Sequence, residues 1–147
     1  MKRVLPFGAA LALVCAPLLL LHPVRVQGRS MEPTLKDGEL RWALRAWAAG
    51  PPTRGQVWLV AGPQGRALKR VVGLPGERLQ EKEGELWISA RVLAEPYVRH
   101  GDRESAGPWD LGTGYFLMGD NRPASQDSRT WGPLVREVFE GRVLGVD

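Results

Sequence analysis

From Val4 to Leu21 the chain carries no charged residue, and the apolar run extends through His22 and Pro23 to Val24. A helix of that reach rises about 31 Å, close to the thickness of a bilayer's hydrocarbon core. The pattern therefore predicts a membrane-spanning helix over residues 1–24, with residues 25–147 forming one further domain. Beyond Arg25 the apolar runs are short and broken by glycine and proline. Gln56–Ala61 reads as a strand, Gly62-Pro63-Gln64-Gly65 as a turn, and Arg66–Val72 as the partner strand. Arg78–Gln80 and Glu85–Ser89 predict a hairpin around Lys82-Glu83-Gly84. Tyr115–Met118 reads as an apolar strand, and Val138–Val146 as a last strand or strand pair. Arg99–Gly114 has no regular pattern. Leu40–Ala48 mixes apolar and basic residues, with Trp42 and Trp47 suited either to a lipid-headgroup surface or to a core.

Composition supports this outline. Eighteen glycines and twelve prolines among 147 residues argue against a helical bundle and for an all-β domain with many turns. The formal charge is +4, and Lys2 and Arg3 supply half of it. The remaining excess is too small to point to nucleic acid, and attraction to anionic membrane phospholipid is the better use for it. Those two residues precede the apolar run, so the N-terminus is expected in the cytoplasm and the rest on the outer face. A cleaved leader fits less well, because the run is long and no small-x-small site closes it. Cys15 is the single cysteine, which excludes an internal disulfide and any thiolate chemistry in the soluble part. His100, Asp102 and Glu104 share a loop, but such a group is ordinarily solvated, and no metal or cofactor is expected.

Candidate chemistry lies in three blocks. Ser30 follows Gly28 on an irregular segment, where a hydroxyl can be presented and nearby N–H groups can face an oxyanion. The histidines are poorly placed for a Ser-His-Asp triad, which leaves lysine as the base. The chain has 16 arginines against four lysines, yet Lys69 lies in an apolar strand, sharing one face with Ala67 and Val71. Burial can lower a lysine pKa by roughly 3–5 units, whereas arginine cannot act as a base. The third block, Gly119–Arg129, is either a polar turn or a set of ion pairs that stiffens a site. Ser125 is the candidate to orient the amine. Arg70 with Asp120 and Asp127 with Arg129 are the expected supporting pairs.

Ser30-Met31-x-Pro33-Thr34-Leu35, Lys69-Arg70-Val71-x-Gly73-x-Pro75-Gly76-Glu77 and Gly119-Asp120-Asn121-Arg122 through Ser125, Asp127-Ser128-Arg129 and Gly132 resemble the three boxes of type I signal peptidases. Weaker agreement runs through Gly84–Ile88, Glu95-Pro96-Tyr97 and Gly141-Arg142-Val143. The resemblance implies a serine endopeptidase that removes signal peptides from exported preproteins. Ser30 would be the nucleophile, Lys69 the general base and Ser125 the lysine-orienting hydroxyl. The Ser30 N–H and the Gly28 N–H would form the oxyanion hole. It further implies a partly open, barrel-like antiparallel β core, in a minimal version because residues 77–115 are too few for the inserted domain of larger members. Preprotein substrates should carry small residues at the first and third positions before the cut. Two departures stand out: Gly55-Gln56 where Gly-Asp is usual, and Ser89-Ala90 where Asn-Gly is usual. A self-cleaving repressor-type protease shares the dyad but not the anchor or third box. An inactive β-module that binds exported chains would not need Ser30, Lys69 and Ser125 together.

Overall fold

The computed structural model describes residues 19–98 and 105–146 of the 147-residue chain. Among these, ten strands form two antiparallel sheets. The first is built from β1 (Leu21–Arg25), β2 (Leu40–Arg45), β3 (Val57–Gly62), β4 (Gly65–Gly73), β9 (Phe116–Met118) and β10 (Phe139–Val143). Its order is β1-β2-β10-β3-β4-β9, with the end strands β1 and β9 not paired to one another. The second sheet, β7-β6-β5-β8, uses β5 (Arg78–Lys82), β6 (Glu85–Ile88), β7 (Arg91–Val92) and β8 (Ala106–Asp110). Two one-turn helices, α1 (Ala46–Ala49) and α2 (Ser128–Trp131), complete the regular elements that matter for the site.

The β3–β4 hairpin is the centre of the molecule. Its register pairs Val57 with Arg70, Trp58 with Lys69 and Leu59 with Leu68. Directly paired residues share a face and successive residues alternate, so Lys69 and Arg70 leave β4 on opposite sides. Val57 and Leu68 join Val24, Val26, Met31, Leu35, Ala43 and Val143 in one apolar cluster. Trp58, Val60 and Val71 join Tyr115, Leu117 and Phe139 in another. Both faces of the hairpin are therefore buried, which explains its near-continuous apolar sequence. A third cluster, Val72, Leu79, Leu86, Leu111, Phe116 and Met118, welds the small sheet to the large one.

Several expectations need correcting. Leu21–Val24, read as the end of the spanning helix, is strand β1, paired with Leu44 through Arg41 of β2. Hydrophobicity alone cannot separate a short buried strand from the end of an apolar helix. Among the described residues no helix is long and apolar enough to cross a membrane. Most of the charge-free run, including Cys15, lies outside the described residues, as do His100, Asp102 and Glu104. Trp42 and Trp47 are 50% and 71% exposed, which rules out the core alternative for them. The stretch read as patternless contains β8, an edge strand whose Gly107 and Pro108 hide it; Trp109 packs on Phe116 with ring centroids 4.8 Å apart. The last strand is single, Phe139–Val143.

The two departures from the usual turn sequences have local explanations. Gln56 accepts from the Thr53 N–H (3.1 Å) and the Trp58 indole N–H (3.0 Å), closing the turn that a carboxylate would otherwise cap. Ser89 and Ala90 both adopt positive φ, 46° and 71°, as a tight hairpin turn demands. Non-glycine residues hold that conformation at a cost of about 1 kcal/mol or more each. Replacing the pair by Asn-Gly should therefore stabilise the domain by roughly 1 kcal/mol, without changing activity. A urea midpoint that fails to rise would contradict this account of the turn.

Candidate active site

Ser30 is carried between β1 and β2 on a loop pinned by its apolar neighbours. Met31 and Leu35 are 1% and 0% exposed and lie in the cluster beneath β3 and β4. With these two side chains buried, the intervening backbone curls and leaves Ser30 at the surface of a cleft of about 320 Å³. Lys69, Gln126 and Trp131 line the same cleft. The Lys69 Nζ donates to Ser30 Oγ at 3.0 Å. Lys69 is only 3% exposed. Burial is the largest influence on its amine and lowers the pKa from the usual 10.5; Asp127 and Asp120 oppose that shift, and the Arg129 charge assists it.

The third block holds this arrangement from behind. The Asn121 N–H donates to the Ser30 carbonyl (3.0 Å) and its side-chain amide to the Arg29 carbonyl (3.0 Å). Gly119 must lack a side chain: a Cβ there would stand 2.3 Å from Ser125 Oγ and 2.5 Å from the Ser30 carbonyl oxygen. That close approach is what brings the third block against the Ser30 loop. Asp127 is fully buried and accepts from Ser125 Oγ (2.7 Å), the Gly119 N–H (3.1 Å) and the Arg129 Nε (3.0 Å). It also caps α2 through the Arg129 N–H. The helix it starts delivers Trp131, whose ring centroid lies 6.0 Å from Lys69 Nζ.

Arg70 points the other way and is paired. Its Nε and Nη2 meet the two oxygens of Asp120 at 2.9 and 2.8 Å, and the pair is 3% and 0% exposed. Nη1 reaches the Gly55 and Val146 carbonyls, and the Tyr97 ring stacks on the guanidinium at 4.1 Å. Thr34, from the nucleophile block, also donates to Asp120. The Tyr97 hydroxyl donates to Glu95 (3.0 Å), which also receives Arg122. Burial, with the neighbouring Glu95 charge, pushes the Tyr97 phenol well above its ordinary value.

The structure thus brings together Ser30, Lys69, Ser125, Gly28 and both expected ion pairs, with two differences in detail. Ser125 donates its hydroxyl to Asp127, and no hydrogen bond joins it to Lys69. The Gly28 N–H, expected to face an oxyanion, donates to Asp37 Oδ1 at 2.8 Å. Gly28 sits at φ 79°, a conformation that favours glycine, so its role in the loop is conformational first. The Ser30 N–H has no acceptor among the described residues. Sequence reasoning missed Trp131, Thr34 and Asn121 as site-forming residues. Only the block's proximity to Ser125 could have suggested Trp131. Among the described residues no group of His, Cys, Asp or Glu is arranged to hold a metal.

Removing one partner of a buried pair leaves the other charge uncompensated. Arg70→Met should therefore destabilise the domain by about 3–5 kcal/mol in urea unfolding, and Arg70→Met with Asp120→Leu should regain much of that loss. A single variant as stable as the parent would show that the pair does not hold the three blocks together.

Comparison with known proteins locates this geometry. The family described as "Signal peptidase, peptidase S26" matches residues 2–146. Signal peptidase I of Bacillus licheniformis is 35% identical over 136 residues, covering 81% of this chain and 73% of its own length. Signal peptidase I T of Bacillus subtilis (strain 168) is 35% identical over 160 residues, covering 96% and 81%. The crystal structure of a signal peptidase I from Enterococcus faecalis V583 superposes with a TM-score of 0.55 at 29% identity, over 64% of this chain and 97% of that one.

Proposed function

The chain belongs to the signal peptidase family, peptidase S26, whose hydrolases cleave signal peptides, and we propose that it does so with a Ser30/Lys69 dyad while tethered to a membrane. The observation that carries the dyad is the 3.0 Å contact between Ser30 Oγ and a buried lysine with a lowered pKa. Free lysine near pKa 10.4 is neutral in only about one molecule in 2,500 at pH 7, so a base role requires the desolvation that this pocket supplies.

In this reading the neutral Lys69 amine removes the Ser30 proton as Oγ attacks the carbonyl carbon of the scissile bond. The oxyanion that develops is met by the Ser30 N–H, and by the Gly28 N–H once Asp37 releases it. The Lys69 ammonium then gives its proton to the leaving amine, and the same lysine activates the water that hydrolyses the acyl-enzyme. Ser125 acts through Asp127, fixing the carboxylate that starts α2 and borders the amine. Preproteins with small residues at the first and third positions before the cut are the substrates this reading favours. The repressor-type alternative loses ground to the family match over nearly the whole chain.

The membrane part of the proposal rests on residues 4–21 and on an apolar surface next to them. Leu19, Leu40, Trp42 and Trp47 are 68%, 56%, 50% and 71% exposed. The β1–β2 register sets Trp42 opposite Pro23 and Leu40 opposite Arg25, on one face of the sheet. Such a strip suits the outer lipid interface, with the N-terminus in the cytoplasm and the peptidase domain outside.

Ser30→Ala, Lys69→Ala and Lys69→Arg should each abolish preprotein cleavage in detergent while the fold persists, because the two groups act as a unit. Activity of the parent should rise with pH through the depressed lysine pKa, since only the unprotonated amine can accept a proton. Turnover by the arginine variant, or a rate maximum near pH 5, would point to another base. Separately, Trp42→Ser with Trp47→Ser should lower kcat/KM on preprotein inserted in vesicles by about threefold to tenfold, leaving cleavage of a short peptide in detergent intact. Equal losses on both substrates would remove the membrane role.

A further inference from the structure

Beside the catalytic cleft lies a larger one, of about 560 Å³. The two share Gln27, Arg66, Ala67 and Leu68 as a common wall, so they lie side by side. The larger cleft's walls are residues 22–25 of β1 and 66–68 of β4, with Arg45, Leu59 and Glu140 from the strands between them, so it spans the sheet from β1 to β4 and reaches the edges of both. Both edges are open there. β1 is an end strand of its sheet, and β9 pairs with β4 only from Arg70 onward. Unpaired strand edges accept an extended peptide through main-chain hydrogen bonds.

The charges around these edges are lopsided. Arg25, Arg45 and Arg66 line the cleft against one carboxylate, Glu140, which Arg66 meets at 2.8 Å. Among the described residues Arg25 and Arg45 have only carbonyl partners, Gly38 at 3.2 Å and Leu19 at 3.0 Å. His22 packs over Gly141, where a Cβ would stand 2.6 Å from its Nε2, and its burial, with the Arg45 charge, keeps it neutral near pH 7. Two cationic groups are thus left to face whatever enters.

Which side of the scissile bond enters follows from the chain itself. β1 leads back to Leu19 and the charge-free run, and a signal peptide's apolar segment precedes its cut and occupies the same bilayer. The stretch before the cut must then approach Ser30 from the β1 side. The two clefts share residues 66–68 of β4, so Arg25 and Arg45 in the larger one face the chain a few positions before the cut.

We propose that this arginine-lined cleft selects preproteins by charge, favouring an acidic and disfavouring a basic side chain a few residues before the scissile bond. The proposal rests on the peptidase reading above, and its test separates the two. Three peptides with the same Ala-x-Ala cleavage site would carry Glu, Gln or Lys at the fifth position before the cut. They would be cleaved by the full-length protein in nonionic detergent. The expected order of kcat/KM is Glu, Gln, Lys, with about tenfold between the extremes at low salt, collapsing at about 0.5 M salt.

Arg25→Gln with Arg45→Gln should shrink that span to about twofold, and Glu140→Gln, which frees Arg66, should widen it. Equal rates for the three peptides, or a span that the double variant leaves unchanged, would overturn the proposal. So would discrimination seen only on adding phosphatidylglycerol vesicles, which would place the selecting charge in the lipid. If the Gln peptide is not cut at all, the dyad reading fails instead. Fluorescence anisotropy of the same peptides on full-length Ser30→Ala protein then still decides the charge preference, with tighter binding of Glu than Lys upholding it and equal binding overturning it.

Discussion

Two adjacent basic side chains on one strand are buried in opposite surroundings. Lys69 reaches Ser30 with its pKa lowered by burial, and Arg70 is held against Asp120 in the interior. A β-strand makes this possible because neighbouring residues leave it on opposite faces. The Lys69 side is closed by Trp131 and the serine loop; the Arg70 side carries a carboxylate, two carbonyls and an aromatic face. Moving Lys69 beside Asp120 would favour its protonated form, and moving Arg70 to the other face would strand a bare charge.

The two nearby carboxylates would keep Lys69 protonated if they were free, and each raises its pKa somewhat. Each is instead engaged by its own arginine, Asp120 by Arg70 and Asp127 by Arg129, and both are saturated with further donors. The pairs therefore do more than brace the site. By absorbing the negative charge locally, they let burial dominate at Lys69. Arginine suits this task because it does not lose its proton at accessible pH. The chain's preference for arginine, broken at Lys69, follows the same division of labour.

Close packing links the three blocks as firmly as the charges do. Gly119 lets both the Ser30 carbonyl and Ser125 Oγ pack against it, closer than any side chain there would permit. Met31 and Leu35 fasten the loop from below, while Asn121 fastens it from the side. Ser30 is thus positioned by a core, a glycine contact and two hydrogen bonds to backbone carbonyls, the preorganisation that the proposed acyl transfer needs.

Much of this was legible in the linear chain. The β3–β4 hairpin, the common face of Ala67, Lys69 and Val71, and the Arg70–Asp120 and Asp127–Arg129 pairs follow from alternation, charge and block composition. Such features depend on neighbours or on strong complementary charges, and local sequence encodes both. What tertiary structure decided depends on distance in space. β1 became a strand because β2 offered it a partner, although its hydrophobicity suited a helix equally. β8 formed despite Gly107 and Pro108 because an edge needs only one bonded side. Ser125 turned to Asp127, and the Gly28 N–H to Asp37, because a closer acceptor was available once the loops had packed. The meeting of Ser30 with Lys69 combines both kinds of information. Residue types and order marked the two groups as reactive, but only the folded core sets them 3.0 Å apart and lowers the lysine pKa by burial.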